Sequence, residues 1–81
     1  MDIMYSADVT DELNVLMLFD LANHQEGIKI HKTSADQKSI DAAQRLFDKG
    51  LISQKDGGYL TALGLEAAEH AQNLFTILTT K

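Results

Sequence analysis

The chain contains no cysteine, which excludes disulfide staples, thiolate metal clusters and cysteine nucleophiles. No apolar run approaches the roughly 18 residues that a membrane span needs. The opening Met1-Asp2-Ile3-Met4-Tyr5 has neither the basic head nor the apolar stretch of a signal peptide. A soluble, cytoplasmic protein with no membrane partner is expected. Basic side chains are scarce as well: seven Lys and Arg stand against twelve Asp and Glu, a formal net charge of -5. Such a balance opposes binding to a polyanion, whose affinity comes largely from cations that displace condensed counterions.

What is present is a near-average globular composition, 44% hydrophobic and 23% charged over 81 residues. That length holds one core, so residues 1–81 form a single domain that must rely on packing and has use for a partner subunit. The charge is unevenly spread. Residues 1–27 carry six acids and no Lys or Arg, whereas residues 28–55 hold six of the seven basic side chains against three acids. A basic middle between acidic ends is either ordinary charge scatter or the trace of a binding face.

After an N-terminal arm over residues 1–9, Thr10 can cap a helix whose first turn holds Asp11 and Glu12. Leu13, Leu16, Met17, Asp20 and Leu21 then follow helical spacing, which predicts a helix over about 10–23. Gly27 to His31 alternates apolar with basic, as a short half-buried strand does. Lys32 to Lys38 is polar and supports one helical turn at most. Ile40, Ala43, Leu46 and Phe47 share one face of the next helix, which runs from Asp36 or Ser39 to Lys49 and is stopped by Gly50. Lys38, Ala42, Arg45 and Lys49 recur at steps of four, three and four on its other side, with Asp41 and Asp48 beside them. The plain alternative is a solvated surface with an Asp41 and Arg45 pair.

Leu51 and Ile52 restart an extended run, Lys55-Asp56-Gly57-Gly58 supplies a hairpin turn, and Tyr59-Leu60-Thr61 returns. Thr61 can cap a last helix over 62–78 with Leu63, Ala67, Ala71, Leu74 and Leu78 on one stripe. Ala68, Phe75 and Ile77 widen the apolar surface beyond that stripe. Ala68, Ala71, Phe75, Ile77 and Leu78 are therefore the candidate interface of a homodimer. The N-terminal Ile3, Met4 and Tyr5 folding back is the other way to cover them.

The passage Arg45-Leu46-Phe47-Asp48-Lys49-Gly50-Leu51-Ile52, followed by Gly58-Tyr59-Leu60-Thr61 and Gly64, resembles the winged helix-turn-helix domain of bacterial regulators. The resemblance covers about residues 10–75. It implies a mainly α fold with a small β wing (α+β), ordered helix, strand, helix, hairpin, helix. More closely, the run from Glu26-Gly27-Ile28-Lys29 through Ala43-Gln44-Arg45-Leu46 and Asp56-Gly57-Gly58-Tyr59-Leu60-Thr61 to Glu66-Ala67-Ala68-Glu69-His70 is similar to a family of small gammaproteobacterial proteins. That family is labelled DNA-binding or transcription-regulating, with its role unknown. Two features depart from the winged-helix pattern: the helix before the recognition helix is at most one turn, and the wing tip offers Lys55 beside Asp56.

The resemblance implies a DNA-binding protein in which residues 38–49 enter the major groove of duplex DNA. Arg45 would read guanine, Gln44 adenine, and Lys32, Lys38, Lys49 and Lys55 would hold phosphates. So few contacts per subunit require a homodimer. The rival expectation is a winged-helix scaffold for an unknown protein partner, with the apolar last helix as interface and the acidic ends keeping it off nucleic acid. No enzyme is expected. His24, His31 and His70 lack metal-site spacing, Glu66 and His70 read as an i,i+4 surface pair, and Asp56-Gly57-Gly58 lacks the lysine of a phosphate loop. No metal or cofactor is implied.

Overall fold

Ser6, not Thr10, starts the first helix. In the computed structural model, which describes residues 4–23, 26–31 and 35–80, Ser6 is extended and its hydroxyl accepts from the Val9 amide at 3.3 Å. Helix α1 then spans Ala7–Leu16, three residues earlier than the periodicity suggests and seven shorter at its end. The Leu18 amide turns back to the Val15 carbonyl at 3.0 Å, which tightens the last turn and closes the helix. Phe19 drops into the core and Asp20 accepts from the Ala22 amide at 2.9 Å. The buried face of this segment is Glu12, Val15, Leu16 and Phe19. Leu13, Met17 and Leu21 are only half-buried.

Strand β1 is Ile28–Lys29. The Ala35 amide reaches the His31 carbonyl at 2.8 Å; residues 32–34, Lys32 among them, lie outside the described residues. Helix α2 spans Gln37–Asp48, capped by Asp36, whose carboxylate accepts from the Ser39 amide at 2.9 Å. That hydrogen bond holds the Asp36 carboxyl below its ordinary value. Gly50, at φ 82, closes α2. Its amide bonds to the Phe47 carbonyl and the Leu51 amide to the Leu46 carbonyl, the paired pattern in which a left-handed residue ends a helix.

Strands β2 (Ile52–Gln54) and β3 (Gly57–Leu60) form the hairpin, and the sheet order is β1-β3-β2, antiparallel throughout. Because β3 pairs on both sides, Gly57 and Gly58 are drawn into its ladder opposite Lys29 and Ile28. The turn is left to Lys55 and Asp56. Helix α3 spans Ala62–Thr79. Thr61 caps it as expected, accepting from the Gly64 amide at 3.0 Å, and also donates to the Gly50 carbonyl at 2.7 Å.

Three helices and a small three-stranded antiparallel sheet thus make an α+β layout compatible with a winged helix. One core joins α1, α2, β2 and α3 through Val15, Leu16, Ala42, Leu46, Ile52 and Ala68. The inward face of α3 is Gly64, Ala68 and Ala71: of the expected stripe Ala71 is buried, but Gly64 and Ala68 take the places of Leu63 and Ala67, and Leu63 and Leu74 are exposed. No helix among the described residues is long and apolar enough to cross a membrane.

Candidate functional site

Helix α2 presents two flanks, and α1 decides what each does. Ala42 is fully buried and Arg45 and Lys49 meet Glu12 of α1, so the row Lys38, Ala42, Arg45, Lys49 is not one open face: its last three residues lie along the seam with α1, and Lys38 stands exposed. The ridge pointing away from the core is Gln37, Asp41, Gln44 and Asp48, at the same steps of four, three and four. Gln37 donates to Asp41 at 2.8 Å and Gln44 to Asp48 at 3.1 Å. The expected Asp41 and Arg45 pair does not form, since Arg45 turns to α1.

Glu12, buried beside Val15 and Leu16, receives both cations of the seam. Arg45 Nε donates to Glu12 Oε2 at 3.1 Å, and Lys49 Nζ donates to Glu12 Oε1. Arg45 Nη2 also donates to the Asp8 carbonyl at 3.1 Å, with the Asp8 carboxylate at 3.9 Å. Burial pushes the Glu12 carboxyl up, but the hydrogen bonds and charges of Lys49 and Arg45 outweigh it and hold the group below its ordinary value. Desolvation lowers the Arg45 guanidinium, and Glu12, Asp8 and Asp11 together raise it.

The other described cations are scattered. Lys38 and Lys55 stand exposed on α2 and the hairpin turn, while Lys29 pairs with Asp56 at 2.8 Å. His31, Glu66 and His70 are exposed, and His24 lies outside the described residues. Among the described residues no group of three or more His, Asp or Glu could hold a metal ion.

The second feature is apolar. Ala68 and Ala71, expected at an interface, are packed inside the chain, whereas Phe75, Ile77 and Leu78 are 54%, 71% and 73% exposed. Leu63 and Leu74 join them. A groove of about 170 Å³ runs between α1 and this half of α3, lined by Leu13, Met17, Leu74, Phe75 and Leu78 among others. Met4 and Tyr5 are themselves exposed, so they do not fold over it; Ile3 lies outside the described residues.

A family model described as a family of unknown function, DUF5669, matches residues 3–79. The chain belongs to the DUF5669 family. No curated protein and no solved structure matches it.

In this DUF5669 chain the residue that sequence reasoning passed over is Glu12, read only as a first-turn acid. Its signal was its place three and four residues before Val15 and Leu16, on the stripe that becomes the core face. An ionised side chain is rarely buried there unless a partner of opposite sign meets it. Leu63 and Leu74, on the stripe expected of the last helix, are exposed.

Proposed function

We propose that this chain is a protein-binding module of winged-helix-like layout, not a reader of duplex DNA. Its contact face is the exposed apolar side of α3, and its partner is a helix with an apolar, uncharged stripe. The observation that carries this reading is the state of α2. A recognition helix must offer cations and donors to phosphates and base edges, but the outward ridge of α2 offers Asp41 and Asp48. Freeing Arg45 and Lys49 for DNA would strip Glu12 of both its partners and leave a buried carboxylate unpaired, which is strongly unfavourable. Lys38 and Lys55, even with Lys32 counted, are too few to offset a chain of net charge -5. The apolar face has what a protein contact needs: large side chains, already exposed, on a rigid helix.

A labelled sample titrated with a mixed-sequence duplex at about 50 mM salt, then about 200 mM, tests the reading. Backbone amides of residues 37–49 and of the hairpin should stay where they are at both salts. Shifts confined to those residues, strong at low salt and fading at high salt, overturn it in favour of groove binding.

A further inference from the structure

Helix α3 carries a second seam beside the one that faces the core. Leu63, Ala67, His70, Leu74 and Ile77 recur at steps of four, three, four and three, the spacing that keeps one edge of a helix against a neighbouring helix. Ala67 leans on the core and Leu74 lines the groove beside α1, but among the described residues the two ends of that edge, Leu63 and Ile77, stay largely open. Leu74 is 38% exposed, and Leu78 flanks the edge. We propose that the occupant is a second copy of this chain, packed antiparallel along α3 about a two-fold axis at His70. The proposal rests on the protein-contact reading and names its partner.

Four observations favour a second copy. The first is register: with His70 on the axis, Leu63 of one copy meets Ile77 of the other, and Ala67 meets Leu74. Each small or body-proximal residue therefore faces a large one from the far half, the self-complementarity that a two-fold contact requires. The second is charge. No Asp, Glu, Lys or Arg occurs from His70 to Thr80, so in the antiparallel register Glu66 of each copy lies against the uncharged far half of the other and not against a carboxylate.

The third is the polarity of the far half. Thr76 and Thr79 donate their hydroxyls to the Gln72 and Phe75 carbonyls at 3.0 and 2.7 Å, and Thr80 does the same to Thr76. Gln72 turns its amide inward to the Leu16 and Phe19 carbonyls at 3.3 and 2.9 Å. These polar groups are satisfied within the chain, so covering them leaves no donor stranded. The fourth is area. Leu63, Leu74, Ile77 and Leu78 leave roughly 450 Å² exposed, at about 200 Å² for a large side chain. His70 on the axis, with Glu66 and Asn73 at the rim, brings the face toward the approximately 800 Å² per partner of a stable interface.

Sedimentation equilibrium of the full chain from about 1 to 500 µM tests the proposal. A dimer is expected, and Ile77→Glu should weaken it at least ~100-fold with its helix content by circular dichroism unchanged, because a charge would be buried without a partner. Tyr59→Ser, on the hairpin, should leave the association as it was. The absence of native cysteine allows a second test: Leu63→Cys and Ile77→Cys, mixed and oxidised, should cross-link to each other and not to themselves. A wild-type chain that stays monomeric at about 500 µM overturns the second copy, as does a dimer indifferent to Ile77→Glu. If the DNA titration is silent in that case, protein contact survives with another partner; if it gives salt-sensitive shifts, both readings fall.

Discussion

In the first half of α3 the smallest side chains are the buried ones, while in the second half the largest are the exposed ones. Gly64, Ala68 and Ala71 bring the helix backbone down onto the body. They bury little side-chain area in doing so, and what they supply is close approach. Leu74, Phe75, Ile77 and Leu78 hold the greater apolar area and leave much of it in water. One helix thus divides its tasks along its length. Its first nine or so residues hold the fold, and the rest present a surface that the fold does not use.

Two substitutions can break or sharpen that contrast, and a third tests the seam between α1 and α2. Gly64→Ala should have the largest effect, since an added Cβ would lie 1.8 Å from the Leu51 carbonyl oxygen, which also accepts from the Thr61 amide. A loss of about 3 kcal/mol or more is expected, read as a fall in Tm of more than about 12 °C for a domain of this size. A loss below about 1 kcal/mol would mean that α3 is not seated by close approach at all.

Glu12→Gln should cost about 1–2 kcal/mol. That is less than the roughly 3–5 of a fully buried pair, because Lys49 is half exposed to solvent. The pH dependence has a definite sign. A carboxyl whose value is lowered on folding stabilises fully above the unfolded value, about 4.5, and the contribution is lost as pH falls through the lowered one. Urea denaturation should therefore separate wild type from variant at pH 7, with the gap closing toward pH 3. A gap independent of pH would assign the loss to packing.

Leu78→Ser should change the stability of the dilute chain by no more than about 0.5 kcal/mol, measured by urea denaturation near 1 µM. A cost above about 1 kcal/mol would place the tail of α3 in the core after all.

Much of the scaffold was legible because its signals are local. Asp36, Gly50 and Thr61 mark helix ends by their own chemistry, and the hairpin announces itself between two apolar runs. Rotation about the helix axis was less legible. In α2 the outward ridge lies one residue from the expected row, and in α3 Gly64 and Ala68 of the inward one do. Neighbouring rows share the same four and three spacing, and Ala42, Ala67, Ala68 and Ala71 suit either side. The start of α1 was ambiguous for a similar reason, since Ser6 and Thr10 both offer a capping hydroxyl with acids behind it. The Glu12 pairings lay out of reach because Arg45 and Lys49 are 33 and 37 residues away, and no periodicity reports across such a gap.

The hydroxyl of Thr61 sits between the end of α2, through Gly50, and the start of α3, through Gly64. Those two helices accordingly share a pivot at one end of an 18-residue rod. At about 1.5 Å per residue the rod is roughly 27 Å long, so each degree of tilt at the pivot carries its tip through about 0.5 Å. A two-degree tilt of α3 about Thr61 would carry Ile77 and Leu78 through about 1 Å.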